Sequence, residues 1–219
     1  MLKTPLVIIG AAGTGRGALD IAEQMCIRGA AFDILGVADD DPSEIDLSRL
    51  EHRMVPYLGK VDETLAYAPT NCKFSIAVGW PKARKSIAQH IESAGCSVTT
   101  LVHPNAIVGS QASLGDGSIV FGGVHISTNA TLRRFSIVGA NATIGHDSIL
   151  DEFVTVNPGA SIAGECIIKD GVLVGTRAAI LQGLSVDSRS TIGAAALVTK
   201  NVPMDVIVKG VPGRWEDPL

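Results

Sequence analysis

Residues 142–163 read "ATIGHDSILDEFVTVNPGASIA". Ile144, Leu150, Val156 and Ile162 recur every sixth residue in this stretch, and small residues stand two places before most of them. A helix stripe repeats every 3.6 residues and a half-buried strand every two, so a strict period of six fits neither. It fits a short strand followed by a tight corner, with the aliphatic side chain turned inward and the small one fitted into the crowded bend.

The register extends far beyond these residues. Val108, Leu114, Val120, Ile126, Leu132, Val138, Ile144, Leu150, Val156, Ile162, Ile168, Val174, Ile180, Val186, Ile192 and Val198 hold it without a slip. Gly follows the aliphatic residue at 109, 115, 139, 145, 175 and 193, where its freedom of backbone angle would ease the corner. Three repeats close one triangular coil of 18 residues, and the sixteen repeats make a little over five coils. Such coils stack at strand-pairing distance, about 4.8 Å. The ribbed faces of so short a stack invite cover by further copies of the chain.

Residues 1–103 follow a different grammar. Strand signals at 6–11, 32–41, 73–79 and 97–102 alternate with helical ones at 15–29 and 82–95. That alternation predicts a small parallel sheet with flanking helices. The expected organisation is a Rossmann-like unit over 1–103 and a parallel β-helix with a C-terminal tail over 104–219. Apolar content is 46% against 4% aromatic, in keeping with thin aliphatic layers, and the formal charge of −4 offers no general attraction for nucleic acid. The four cysteines are scattered, with no CxxC pair, which disfavours a zinc or disulfide framework. With no signal-peptide pattern and no apolar run of membrane-spanning length, a cytoplasmic protein without a membrane span is expected.

Beyond the repeat itself, "IIGAAGTGRGALDIAE", "VADDD", "IAVGWPKARKSI", "LVHPNAIVG", "GHDSILDEFVTVNPGASIAGE" and "KNVPMDVIVKGVPGR" together resemble the sialic acid O-acetyltransferase family of hexapeptide-repeat acyltransferases. That family includes N-acetyltransferases of nucleotide-linked 4-amino sugars of the bacillosamine and perosamine type. The resemblance implies an α/β N-terminal domain followed by a left-handed parallel β-helix. It also implies a homotrimer, with acetyl-CoA in the groove between neighbouring β-helices and the acceptor's nucleotide on the N-terminal domain. The implied reaction is acetyl transfer from acetyl-CoA to the amino group of a nucleotide-linked sugar, with O-acetylation of a sialic-acid-like or other sugar hydroxyl as the alternative. A non-enzymatic sugar-nucleotide-binding β-helix is a third possibility, against which the histidine–acid pair argues.

Thioester attack needs a base for the nucleophile's proton and a donor for the developing oxyanion. His146, in an "HD" pair two residues after Ile144, matches the family's base, and Asp147 would orient its ring. Gly164 lies 18 residues on, hence one coil away, where its N–H could meet the thioester oxygen. On the acceptor side, Gly10, Gly13, Thr14 and Gly15 form a glycine loop between strand and helix that can attract phosphate. Asp39 and Asp40 at a strand end could bind ribose or base, and Gly79 ends the next strand, where Lys82, Arg84 or Lys85 could reach phosphate. On the coenzyme side the resemblance points to Thr155, Gly164, Gly175, Ala194, Lys200, Lys209 and Arg214. No metal is expected. A zinc-dependent β-helix needs clustered histidines, whereas His103, His125 and His146 are 22 and 21 residues apart.

Several positions depart from the amino-sugar enzymes. Thr14 and Thr155 stand where those enzymes carry histidines, Gly145 where the bacillosamine type has an acid, Gly139 where an asparagine is usual, and "GWPK" where the loop is Asn- or Asp-rich. The acceptor side is thus where this chain diverges most.

Overall fold

The computed structural model describes residues 3–216. Its N-terminal part has the order β1 (Thr4–Ile9), α1 (Gly13–Ile27), β2 (Phe32–Ala38), α2 (Glu44–His52), α3 (Val61–Tyr67), β3 (Lys73–Ile76), α4 (Pro81–Ser93) and β4 (Ser97–Val98). These strands form one parallel sheet ordered β2-β1-β3-β4. Strand order reverses between β1 and β3, and in open α/β sheets ligands bind outside the carboxyl ends at such a point. Helices α2 and α3 fall in 42–70, a span whose weak periodicity hid them from the sequence reading.

Helices α1 and α4 are set by packing more than by caps. α1 has no side-chain N-cap. Its start is fixed by contact: a Cβ on Gly15 would lie 1.7 Å from the carbonyl oxygen of Gly10, and one on Gly17 would lie 2.5 Å from the Phe121 ring. α4 starts at a proline, which suits the first helical position, and buries Arg84, Ala88 and Ile91.

The rest of the chain is the expected parallel β-helix, built of eighteen two-residue strands in three sheets of seven, six and five. The first face stacks Leu101–Val102, Ile119–Val120, Ile137–Val138, Thr155–Val156, Leu173–Val174, Thr191–Ile192 and Ile207–Val208. The second face runs from Ile107–Val108 to Leu197–Val198, and the third from Ser113–Leu114 to Ser185–Val186. The stack thus makes about six coils, because two strands lie outside the sixteen counted repeats. The expected single strand over 97–102 is in fact two. Ser97–Val98 closes the N-terminal sheet, whereas Leu101–Val102 pairs with Ile119–Val120 as the first strand of the β-helix. At the far end the last coil is two residues short, so Thr191 pairs with Ile207, 16 residues on.

The aliphatic series fills the interior from Val120 to Val198. Val108, near the open end of the stack, is 40% exposed. The corner geometry differs from the expected one. Every sixth residue from Gln111 to Ala195 has a positive φ, including Phe135, Asn141, Asp147 and Phe153, so the left-handed conformation falls three places after the aliphatic residue. The glycines one place after it answer a different need. A Cβ on Gly145 would stand 2.3 Å from the carbonyl carbon of Ala163 and the nitrogen of Gly164. The acid of the bacillosamine-type enzymes therefore has no room at 145.

The two parts pack through both faces of the N-terminal sheet. On one side Leu6, Ile8, Leu19 and Ile21 cluster with the outward residues Leu101, Ile119 and Ile137 of the first face. On the other, Ile9, Phe74, Ile76 and Ile91 cluster with Phe135 and Phe153. Those two rings stack, with centroids 5.0 Å apart, on the corner between the third and first faces. Their burial offsets the unfavourable left-handed backbone there. Among the described residues, no helix is long and apolar enough to cross a membrane.

Candidate active site

His146 lies on the corner between the second and third faces, and its side chain is half-exposed. Its Nδ1 is 2.7 Å from Asp147 Oδ2, and Asn129 Nδ2 donates to Asp147 Oδ1 at 2.9 Å from one coil below. Those two hydrogen bonds, His146's first, hold the Asp147 carboxyl below its ordinary range. A carboxylate at Nδ1 selects the tautomer with the proton there, leaving the Nε2 lone pair free.

One coil up lies Gly164. A Cβ on it would stand 2.5 Å from His146 Nε2 and 2.6 Å from Cε1, so the ring occupies the space a side chain would fill. Glu165 N–H donates to the His146 carbonyl at 2.8 Å, which fastens the two coils together. The N–H of Gly164 meets no acceptor among the described residues. The structure therefore brings His146, Asp147 and Gly164 together, and adds Asn129.

The 18-residue pairing of the second face, 143 with 161, 161 with 179 and 179 with 197, stacks His146, Gly164, Gln182 and Lys200 along one edge. Lys200 is three coils from His146, about 14 Å at strand spacing. Its Nζ lies 4.5 Å from the centroid of the Trp215 ring. The tail reaches that edge by crossing the end of the second face, where Gly213 N–H donates to Leu197 O at 2.7 Å. Lys209 and Arg214 pair within this tail and line a shallow cleft with Trp215.

Three of the coenzyme-side expectations lie apart from this edge in the single chain. Thr155 is 3% exposed; its hydroxyl is held by Arg84 and by the carbonyl of Gly79 inside the junction of the two parts. Gly175 is buried, with Ala194 N 2.6 Å from where its Cβ would be. Ala194 is exposed, but lies on the corner between the first and second faces, a different edge from His146.

The second feature is a cavity of about 620 Å³ at the carboxyl edge of the N-terminal sheet. Among the expected acceptor residues, Gly10, Thr14, Asp39, Asp40 and Gly79 line it. Gly13, the first residue of α1, is exposed beside it. Gly15 is buried against Gly10, so it shapes the loop. Asp39 accepts from Ala11 N–H at 2.7 Å and Asp41 N–H at 3.0 Å, which ties the end of β2 to the glycine loop. The opposite wall comes from the β-helix through Asn157 and Leu173, and Trp80 stands 70% exposed at the rim. Among the described residues no lysine or arginine lines the cavity. Arg84, expected to reach phosphate, is instead wholly buried.

Asn129 and Gln182 were legible in principle, as the positions one coil from Asp147 and Gly164. Asn157, Leu173 and Arg84 left no signal in sequence, since their neighbours are distant in the chain. Among the described residues no group of three or more His, Cys, Asp or Glu could hold a metal.

A β-helix of six-residue repeats bearing an exposed histidine–carboxylate pair, joined to an α/β unit with an open cleft, is the architecture that the resemblance to hexapeptide-repeat acyltransferases implies. Residues 5–91 match the model of the PglD N-terminal domain. The acetyltransferase domain of PglB from Neisseria gonorrhoeae is 26% identical, with a TM-score of 0.85 over 98% of this chain and 100% of that one, and has also been solved with acetyl coenzyme A. PerB from Caulobacter crescentus, solved with CoA and GDP-perosamine, shares the fold at 22% identity and a TM-score of 0.86, over 97% of each chain. WeeI from Acinetobacter baumannii does so at 21% and 0.84, over 96% of this chain and 99% of its own. No curated protein sequence matches the chain. Residues 5–91 therefore form a PglD-type N-terminal domain, and the chain as a whole shares the fold of the PglB acetyltransferase domain.

Proposed function

We propose that the protein transfers acetyl from acetyl-CoA to the amino group of a nucleotide-linked sugar, with His146 as the base. The observation that carries this reading is the His146–Asp147 pair set against the bare Cα of Gly164. The neutral sugar amine attacks the thioester carbonyl as Nε2 of His146 takes its proton. Asp147 stabilises the imidazolium that forms. The N–H of Gly164 meets the oxyanion of the tetrahedral intermediate. Collapse then breaks the C–S bond, and the proton on Nε2 goes to the departing thiolate, returning the ring to its starting state.

The coenzyme runs from His146 past Gln182 to Lys200, a length that suits an extended pantetheine arm ending in phosphates. The acceptor's nucleotide takes the cavity, with its phosphates toward the uncapped start of α1 and its hydroxyl and N–H donors toward Asp39 and Asp40. The likeness to the PglB acetyltransferase domain, solved with acetyl coenzyme A, supports the coenzyme, and the complex of PerB with GDP-perosamine supports the class of acceptor.

One copy does not suffice. The cavity opens on the first face and its corner with the second, whereas His146 lies on the edge opposite the first face. A sugar whose nucleotide sits in one copy's cavity therefore meets the base of a neighbouring copy, which is the arrangement a homotrimer supplies. The test is thiol release from acetyl-CoA with a panel of nucleotide-linked 4-amino sugars. His146→Ala should lower turnover by about 10²- to 10⁴-fold, and wild-type turnover in that variant would end the reading. A monomer at full activity would end the trimer.

A further inference from the structure

Arg84, on α4, is 0% exposed, and no carboxylate touches its guanidinium among the described residues. It donates instead to oxygens of the backbone and one hydroxyl. Nε donates to Phe135 O at 2.9 Å, Nη1 to Val78 O at 2.6 Å and Gly79 O at 3.1 Å. Nη2 donates to Phe153 O at 2.7 Å, Val154 O at 3.3 Å and Thr155 Oγ1 at 2.8 Å. The Thr155 hydroxyl in turn donates to Gly79 O at 2.8 Å. A buried cation without a counter-charge is costly, and burial pulls this one down to about 9. It is still protonated at neutral pH. Space-filling alone would be met by an uncharged side chain of similar volume. The fork has a further use.

That use lies in where the acceptors are. Val78 and Gly79 belong to one wall of the cavity. Phe135, Phe153 and Thr155 belong to two successive coils of the β-helix, and Asn157, two residues beyond Thr155, belongs to the opposite wall. One rigid, planar fork thus spans both walls from behind. We propose that Arg84 is a positioning residue that sets the separation of the two walls, and with it the affinity for the acceptor's nucleotide, without touching that ligand. The inference rests on reading the cavity as the nucleotide site. Lysine keeps the charge but lacks the planar five-donor fork, so it cannot serve Phe135, Phe153 and Val78 together.

The test uses the full chain, with Arg84→Lys and, as a milder change that keeps the guanidinium, Thr155→Val. Binding of GDP and UDP is measured by calorimetry, the acetyl-CoA KM by thiol release, and the loop at 78–80 by amide hydrogen exchange. Arg84→Lys should weaken the better nucleotide by about tenfold and speed exchange at Gly79 and Trp80. Thr155→Val should do both to a smaller degree, with the acetyl-CoA KM unchanged in either. In Arg84→Ala, added guanidinium ion should restore part of the lost affinity. Wild-type exchange at 79–80 in a folded Arg84→Lys protein overturns the positioning role, whether or not a nucleotide binds. Equal nucleotide affinity in wild type and Arg84→Lys overturns the link to binding. A wild-type protein that binds neither nucleotide overturns the cavity reading, and with it that link, while the exchange result still decides the role of Arg84.

Discussion

Gly164→Ala is the most incisive perturbation of the proposed site, because one methyl group acts on one ring. The new Cβ would lie 2.5 Å from His146 Nε2, 2.6 Å from Cε1 and 2.9 Å from Cδ2. Ordinary contact begins near 3.5 Å, so the ring must withdraw by about 1 Å. A displacement of that size at a reacting atom costs about 10²-fold in rate, equivalent to about 2.7 kcal/mol in the barrier. The fold should barely register the change. Gly164 does not have a positive φ, and replacing Gly by Ala at a compatible backbone stabilises by about 0.4–1 kcal/mol through the unfolded state. Thiol release from acetyl-CoA with a turned-over acceptor, beside a thermal melt, separates the two effects. The expected result is kcat/KM down about 10²-fold with the melting temperature nearly constant. The same substitution on a His146→Ala background should cost almost nothing more, since the group it displaces is gone. A Gly164→Ala enzyme at wild-type rate would refute the reasoning, because the base would then not act from the place the ring occupies.

Three further outcomes follow from the geometry. Asn129→Ala removes one of the two hydrogen bonds that lower Asp147, so the Asp147 carboxyl should titrate closer to 3.8, as read by carbon NMR; an unmoved titration would leave Asn129 without influence on the pair. By sign, a depressed carboxyl favours the folded state above 3.8 and loses that contribution as pH falls through its folded value. Lys200→Ala should raise the acetyl-CoA KM by about tenfold with kcat and the acceptor KM unchanged, and an equal KM would remove Lys200 from the coenzyme path. Gly15→Ala drives a Cβ to within 1.7 Å of the Gly10 carbonyl; it should destabilise the chain by about 2 kcal/mol or more in denaturant titration, and a neutral result would mean the start of α1 moves freely.

Much of this protein is written in local arithmetic. A period of six determines which side chains turn inward, and three such periods place Gly164 beside His146, because stacked coils repeat position by position. The same arithmetic could have named Asn129 and Gln182. It stopped one step short at the start, where Val102 continues the count but reads with the N-terminal strand, and it failed at the end, where the last coil is two residues short. It also misassigned the reason for the glycines: left-handed angles recur at Asn141, Asp147 and Phe153, while Gly145 is small because the next coil leaves no space for a Cβ.

What the tertiary structure alone decided lies where distant segments meet. Arg84 finds Phe135 O and Phe153 O, 51 and 69 residues away, so a side chain that reads as an exposed cation in "KARKSI" is a buried fork. Thr155 is drawn into the same knot, where its hydroxyl is held by Arg84 and Gly79 O. The cavity takes one wall from each part of the chain, and its position on the side away from His146 follows from which face of the prism the N-terminal sheet covers. Periodicity specifies a residue's place within its own coil. Burial, partner and the distance between two sites depend on docking surfaces that pair no fixed interval of sequence.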